Sequence, residues 1–169
     1  MTPMDNYNLT QLSVLTVENH PHFSSMLRGI LRELGVTNVY DASTPERGFE
    51  EFILQVPDVV LVDWSPDFDG LGLLSKIRND PDSKSPFVPV IMVTAFGEAE
   101  RVFEARDAGM TEYLTKPVSG TRLYQRISAI VKSNRNFIRA SELFGPDRRR
   151  RDKEHAGEDR RQKAPQSDG

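Results

Sequence analysis

The chain has 169 residues, with 22 basic side chains, 25 acidic side chains and a formal net charge of -3 at pH 7. This length accommodates one well-buried domain with additional segments, and the near-balanced charge gives no overall bias toward nucleic acid or membrane. The sequence contains no cysteine, which excludes disulfides, thiolate zinc sites and cysteine nucleophiles and fits a reducing compartment.

Short apolar runs alternate along the chain with segments of helical period. The first strand is predicted over residues 12–17, and apolar residues at helical spacing between Pro21 and Gly35 predict the first helix. "TNVYDAS" predicts a second short strand. A serine or threonine cap before Pro45 then predicts the second helix.

The third and fourth strands carry apolar residues without alternation. "DVVLVDW" (58–64) and "VPVIMVTA" (88–95) therefore predict strands that are covered on both faces. "GLGLLSKIRND" predicts the helix between them, "GEAERVFEARDAG" predicts the helix that follows, and "TEYLTK" predicts a short fifth strand. "SGTRLYQRISAIVK" predicts the last helix, with its large apolar residues on one face.

Strands that alternate with helices indicate an α/β fold with a mostly parallel sheet and helices on both faces. Because two strands are fully apolar, we place them at the centre, which favours the doubly wound, flavodoxin-like strand order 2-1-3-4-5. In that order the binding crevice lies at the carboxyl ends of strands 1 and 3. Glu18, Asn19 and Asp63 fall at these ends.

The composition also predicts how the chain is divided. We predict an N-terminal extension over residues 1–10, the folded domain over 11–133, and a short apolar-containing extension over 134–144, as a last turn of helix or a short strand. Residues 145–169 contain eight basic and six acidic side chains and no large apolar one, which predicts a disordered charged tail. The tail repeats Gly-x-Asp-Arg-Arg, which fits either a linear motif for an acidic partner or a plain solvated segment.

Polar side chains with complementary chemistry fall at the carboxyl ends of the predicted strands, namely Glu18, Asn19, Asp63, Thr94 and Lys116. Carboxylate and amide oxygens suit a hard cation such as Mg²⁺, whereas an ammonium and a hydroxyl suit phosphoryl oxygens. Taken alone, Asp63 is typical of a helix cap or a loop acid, Thr94 of a strand position and Lys116 of the surface. Their joint placement indicates a site where Asp63 accepts a phosphoryl group.

About residues 10–133 resemble the receiver domain of two-component response regulators. The motifs that carry the resemblance are "VLTVEN", "VVLVDW", "DGLGLLSKIR", "VPVIMVTA" and "DAGMTEYLTKPV". The resemblance implies that Asp63 is the phosphoacceptor. It also implies that Glu18 and Asn19 hold Mg²⁺, together with Asp63 and the backbone carbonyl of Ser65.

The resemblance further implies that Thr94 and Lys116 contact the phosphoryl group and that Tyr113 is the switch aromatic. The phosphoryl donor would be a phosphohistidine on a sensor histidine kinase or a histidine phosphotransfer protein. The chain would act on itself alone, by phosphoryl acceptance and autodephosphorylation. Its output would be contact with a downstream protein, and a homodimer through helix 4, strand 5 and helix 5 is a common outcome in the family.

Two features depart from the family pattern. Asn19 stands where the family usually has an acid, and a unit charge ~4 Å from another is worth roughly 4 kcal/mol at an effective dielectric of ~20. We therefore predict that Mg²⁺ is weakly bound. The loop after Asp63 is one residue shorter than is usual, which affects how it presents the Ser65 carbonyl. His20 and His22 do not form a zinc set, but His20 is placed to modulate the acidic pair.

These residues favour a signalling receiver controlled by phosphorylation. The alternative is a pseudo-receiver, in which the same fold serves as an unphosphorylated binding scaffold because Asn19 and the short loop weaken the metal site. A flavodoxin-like cofactor binder is disfavoured, since "ENHPHFSS" lacks a glycine-rich phosphate loop. Without a signal-peptide pattern, a long apolar run or a second sizeable domain, we expect a cytoplasmic protein with neither membrane nor DNA as a partner.

Overall fold

The computed structural model describes residues 7–95 and 98–144, and of residues 99 and 134–144 it describes the backbone alone. The predicted charged tail with its Gly-x-Asp-Arg-Arg repeats lies outside the described residues, as does most of the predicted N-terminal extension. The strands are β1 Ser13–Val17, β2 Asn38–Ala42, β3 Val59–Asp63, β4 Val90–Thr94 and β5 Glu112–Thr115. The helices are α1 Pro21–Glu33, α2 Pro45–Gln55, α3 Gly70–Asn79, α4 Ala99–Asp107 and α5 Gly120–Phe144.

The five strands form one parallel sheet in the order β2-β1-β3-β4-β5. Every residue of β3 and β4 is buried, because both strands are central and their apolar side chains are covered on both faces. The doubly wound, flavodoxin-like fold predicted from the sequence is therefore confirmed, and so is its strand order.

Local signals in the sequence explain where α2 and α3 begin. The Thr44 hydroxyl accepts a hydrogen bond from the Arg47 backbone N–H at 3.1 Å, and Pro45 occupies the first turn of α2. The Asp69 carboxylate accepts one from the Gly72 N–H at 2.8 Å and so caps α3. This second cap fixes the end of the loop that connects β3 to α3, next to the predicted crevice.

A main hydrophobic cluster packs β1, β3 and β4 against α2 and α3. Its large members include Phe49, Phe52, Trp64, Leu74, Ile77 and Met92. Gly48 allows α2 to approach β1 closely, since a Cβ at this position would lie 2.9 Å from methyl groups of Val17. The strand that leads into Glu18 is thus held by direct packing of a helix against its last residue.

The last helix, α5, is longer than the predicted domain. It runs without interruption to Phe144, so residues 134–144 are helical and do not form the short strand that was the alternative. The segment contains neither glycine nor proline before Gly145, and several of its residues have good helix propensity. Of the residues that the structure describes, those up to 127 belong to one compact unit and residues 128–144 to a second. The predicted domain limits at residues 11 and 133 stay predictions.

None of the helices in the described parts of the chain is both long and apolar enough to cross a bilayer.

Candidate functional site

Two buried carboxylates and one lysine meet at the edge of the sheet where the parallel strands end, which we call the carboxyl edge. The Lys116 Nζ lies 3.1 Å from Asp63 Oδ1 and 3.3 Å from Glu18 Oε2. Glu18 is 3 % exposed and Asp63 is 2 % exposed. The structure therefore brings together three of the predicted site residues in the crevice that the strand order indicates.

Main-chain hydrogen bonds beyond the strand ends hold these side chains in place. The Glu18 N–H donates to the Ala42 carbonyl at 3.0 Å, which continues the pairing of β1 with β2. The Lys116 N–H donates to the Thr94 carbonyl at 2.8 Å, which continues the pairing of β5 with β4. Both functional side chains consequently project from backbone that is fixed by the sheet.

The electrostatics of Asp63 are set by its surroundings. Burial raises the pKa of the Asp63 carboxyl above its ordinary value, and the nearby Glu18 carboxylate raises it further. Lys116 opposes this increase in pKa through its hydrogen bond and its charge, and His20 opposes it through its charge. Among the described residues, the buried Asp63 Oδ2 has no hydrogen-bond partner. Such an orphaned carboxylate oxygen is a candidate nucleophile or metal ligand.

The donor set at this position fits a divalent cation. One ligand atom each from Glu18, His20 and Asp63 lies within 4.8 Å of the others. The His20 Nδ1 is 2.9 Å from Glu18 Oε1, and the His20 backbone N–H donates to the same oxygen at 3.1 Å. The sequence predicts only a modulating role for His20, whereas the structure places its imidazole within the group of potential ligands.

The other two predicted ligands have different surroundings. Asn19 is exposed and lines a pocket of about 280 Å³ between α1 and β2, together with Glu18 and Arg28. The Ser65 carbonyl accepts a hydrogen bond from the Phe68 N–H at 3.0 Å. The ligand roles of Asn19 and Ser65 remain predictions.

The short loop after Asp63 folds back on itself. Ser65 and Phe68 exchange two main-chain hydrogen bonds, of 3.3 and 3.0 Å, and form an isolated antiparallel bridge. Gly70 then lies directly against Asp63, because a Cβ at this position would overlap the carbonyl oxygen of Asp63. The reduced loop length is thus accommodated by a tight turn and by a glycine that permits close approach.

Thr94 and Tyr113 lie on the neighbouring strands. Thr94 ends β4 and is fully buried. Asp63 pairs with Val93, the residue before Thr94. Tyr113 pairs with Met92, so the alternation along β4 puts Tyr113 and Thr94 on the same face of the sheet. Tyr113 is half-buried, and its burial raises the pKa of its hydroxyl while the charge of Arg101 lowers it.

Arg101 is a residue near the site that the sequence analysis missed. Its guanidinium carbon lies 4.9 Å from the centre of the Trp64 ring, within the range of a cation–π interaction. Trp64 directly follows Asp63, so Arg101 connects α4 to the strand that carries the candidate phosphoacceptor. Its charge also acts on Tyr113. The amphipathic pattern of α4 is weak, so the sequence offered no signal for this contact.

The sequence is similar to those of known receiver proteins. Residues 14–128 match the response regulator receiver domain family. Chemotaxis protein CheY-3 of Vibrio cholerae is 29% identical over 120 residues, which cover 70% of this chain and 91% of that protein. The probable transcriptional regulator ycf27 of Guillardia theta is 32% identical over 135 residues, which cover 79% of this chain and 51% of that protein.

Solved structures of similar proteins share the fold. A putative response regulator from Chloroflexus aurantiacus is 28% identical with a TM-score of 0.64, covering 72% of this chain and 98% of that one. A CheY-like receiver domain protein from Methanospirillum hungatei is 25% identical with a TM-score of 0.65, and the match covers 74% of this chain and 98% of that one. All the candidate site residues, from Glu18 to Lys116, fall inside the matched residues 14–128.

Proposed function

This chain belongs to the response regulator receiver domain family, and from that premise we propose that Asp63 accepts a phosphoryl group from a sensor histidine kinase or a histidine phosphotransfer protein. Receiver domains are signalling proteins of two-component systems and not typical enzymes. The observation that carries the proposal is the buried Asp63 carboxylate, with Oδ1 against Lys116 and Oδ2 without a hydrogen-bond partner among the described residues. We also propose a cytoplasmic location, with which the lack of cysteine is compatible.

In the proposed reaction, an oxygen of the Asp63 carboxylate attacks the phosphorus of a phosphohistidine. A P–O bond forms, the P–N bond to the donor breaks, and its electron pair returns to the imidazole nitrogen. The Lys116 ammonium, 3.1 Å from Oδ1, orients the carboxylate and offsets the negative charge on the phosphoryl oxygens. The Thr94 hydroxyl then donates a hydrogen bond to one of these oxygens.

Glu18 and Asp63 are the residues that would hold the Mg²⁺ that the family implies, with Asn19 and the Ser65 carbonyl as further predicted ligands. When bound, this ion neutralises charge on the phosphoryl oxygens. The orphaned oxygen of Asp63 beside a second buried carboxylate supports this assignment. Hydrolysis of the phosphoryl group from Asp63 is the one further self-directed reaction that we propose.

We propose that the signal leaves through α4, β5 and the first turns of α5. The Thr94 hydroxyl moves toward the phosphoryl group, and the Tyr113 ring turns into the space that it leaves. The placement of both residues on one face of the sheet supports this coupling. The altered surface would then bind a downstream protein or a second copy of the chain.

A pseudo-receiver is the second candidate function. Two observations favour it: Asn19 is exposed, and the Ser65 carbonyl already accepts the Phe68 N–H. The Asn19 amide brings no negative charge to the ion, and the Phe68 N–H occupies one of the two lone pairs of the Ser65 carbonyl. In this case the fold would serve as a binding scaffold, and Asp63 would stay unphosphorylated.

A phosphorylation assay separates these two functions. Incubation of the full chain with acetyl phosphate and Mg²⁺ is expected to raise its intact mass by one phosphoryl group. Asp63→Asn should abolish the increase, because a carboxamide is not a nucleophile for phosphorus. Asp67→Asn removes an exposed acid from the same loop and should retain the increase. If the wild type gains no mass, the scaffold function is favoured.

Asn19→Asp is expected to tighten Mg²⁺ binding by roughly tenfold or more. The added charge is worth about 4 kcal/mol at ~4 Å before its desolvation is subtracted, and each 1.4 kcal/mol corresponds to about tenfold in affinity. The affinity can be followed through the fluorescence of Trp64, the only tryptophan in the chain. Asn79→Asp adds the same charge at the exposed last residue of α3 and should leave Mg²⁺ affinity unchanged. Equal affinity in the two variants contradicts the prediction.

A further inference from the structure

The ligand group at the carboxyl edge contains an imidazole nitrogen in addition to carboxylate oxygens. Glu18, His20 and Asp63 each offer one ligand atom within 4.8 Å of the others. Ligands about 2.1 Å from a shared ion lie at most about 4.2 Å apart, so a small side-chain adjustment closes this group on an ion. The His20 side chain is 64% exposed and has room to make that adjustment.

The contacts of Lys116 leave one oxygen of each carboxylate for such an ion. The ammonium contacts Oε2 of Glu18 and Oδ1 of Asp63. The second oxygen of Glu18, Oε1, accepts the His20 backbone N–H at 3.1 Å and faces the His20 Nδ1 at 2.9 Å. The second oxygen of Asp63, Oδ2, is buried and has no hydrogen-bond partner in the described parts of the chain. This orphaned oxygen is a second observation, besides the grouping of the three donors, that points to a ligand at this position.

The chemistry of the donors determines which ion they prefer. Mg²⁺ is typically bound by oxygen ligands and waters, whereas imidazole nitrogen suits later first-row transition ions. A neutral imidazole with its proton on Nε2 presents the lone pair of Nδ1 to a metal. An acid at position 19, which is usual in the family, would add a charged oxygen ligand of the kind that Mg²⁺ prefers. The exposed amide of Asn19 adds no such charge.

We propose that His20 is a metal ligand and that Glu18, His20 and Asp63 form a mixed nitrogen and oxygen site that selects a later first-row transition ion such as Co²⁺ over Mg²⁺. The inference rests on the metal site of the proposed function and changes the identity of the ion that this chain uses. It also assigns to His20 a role that compensates for the missing acid at Asn19.

The test compares two ions in two histidine variants of the full chain. Co²⁺ and Mg²⁺ affinities are measured through the fluorescence of Trp64, which is 7% exposed and adjacent to Asp63. His20→Asn is expected to lower the affinity for Co²⁺ by at least roughly 10–100-fold, the usual cost of losing a residue that only supports a metal ligand. The affinity for Mg²⁺ should change by less than about threefold. His22→Asn, an exposed histidine on α1 outside the group, should change neither affinity.

A spectroscopic readout distinguishes a ligand from a neighbour. Pulsed electron paramagnetic resonance of bound Mn²⁺ should show coupling to an imidazole nitrogen in the wild type and in His22→Asn, and none in His20→Asn. If His20→Asn weakens Mg²⁺ and Co²⁺ equally and the wild type shows no nitrogen coupling, His20 merely orients Glu18 and the inference is overturned. Failure of the wild type to bind Co²⁺ or Mn²⁺ overturns it as well.

Phosphoryl acceptance from acetyl phosphate with Mg²⁺ is measured in parallel on the wild type. Phosphorylation without nitrogen coupling leaves the proposed function intact and overturns the inference. Nitrogen coupling without phosphorylation supports the inference and counts against the proposed function.

Discussion

Lys116→Met is expected to lower the free energy of unfolding by about 3–5 kcal/mol at pH 7, the usual cost of removing one partner from a buried ion pair. Lys116 lies 3.1 Å from Asp63 and 3.3 Å from Glu18, and both carboxylates are buried. Methionine retains much of the apolar length of lysine but leaves the two acids without this cation. The variant also loses the ammonium that lies 4.1 Å from the centre of the Phe23 ring.

The same variant should show a distinct pH dependence. The pKa of Asp63 is already raised above 3.8, and Lys116 is one of the groups that lower it, so the pKa rises further when the lysine is removed. A carboxyl with a raised pKa in the folded state contributes stability that is full below its unfolded pKa and is lost as pH rises through its folded pKa. The difference in stability between wild type and Lys116→Met should therefore shrink as pH falls from 7 toward 4.

Denaturant unfolding monitored by the fluorescence of Trp64 measures this difference at each pH. Lys116→Met combined with Asp63→Asn should recover part of the lost stability at pH 7, because the second change removes one of the two buried charges. Lys84→Met, at an exposed position, should stay within about 0.5 kcal/mol of the wild type. A loss that is independent of pH and unaffected by Asp63→Asn would mean that packing, not charge, is the function of Lys116 in stability.

The fold was predictable because its signals are local. The apolar runs at 59–62 and 90–93 identify β3 and β4 as central strands, and both strands are buried at every residue. Once two strands are central and all are parallel, the order and the location of the crevice follow from general topology. The juxtaposition of Glu18, Asp63 and Lys116 was predictable for the same reason, since each residue directly follows or ends a strand.

The ligand position of His20 was not predictable from periodicity. It depends on the turn after β1 and on the rotamer of an exposed side chain, neither of which leaves a repeating pattern in the sequence. Arg101 and Arg78 were missed for a related reason. Long polar side chains reach partners far away in the sequence, as when Arg78 contacts Gly109, 31 residues further along the chain. Hydrophobic patterning says nothing about such contacts.

Arg78 connects α3 to two loops at the opposite, amino edge of the sheet. Its Nε donates to the Gly109 carbonyl at 3.0 Å, and its Nη1 donates to the carbonyls of Pro86 at 2.9 Å and Val88 at 2.6 Å. Gly109 has a φ of +101°, and a Cβ at this position would lie 3.2 Å from the Arg78 Nε. One guanidinium thus satisfies three carbonyls of the loops that lead into β4 and β5.

Arg78→Met is expected to lower the free energy of unfolding by about 3–5 kcal/mol, because three carbonyls lose a charged donor at a cost of roughly 1–3 kcal/mol each where water cannot replace it. Arg78→Lys should recover only part of this loss, since an ammonium lacks the planar fork that reaches two loops at once. Arg32→Met, on the exposed side of α1, is the matched control and should have little effect. The stabilities are measured by denaturant unfolding at pH 7.

The phosphorylation of Arg78→Met provides a second measurement. The candidate site lies at the carboxyl edge and Arg78 serves the amino edge, so the folded variant should accept a phosphoryl group from acetyl phosphate at the wild-type rate. A slower reaction at temperatures where the variant is fully folded would show that the loops before β4 and β5 influence the geometry of Thr94 and Lys116 at the other end of those strands. Equal rates would show that the stability contributed by Arg78 at the amino edge does not affect the phosphoryl chemistry at the carboxyl edge.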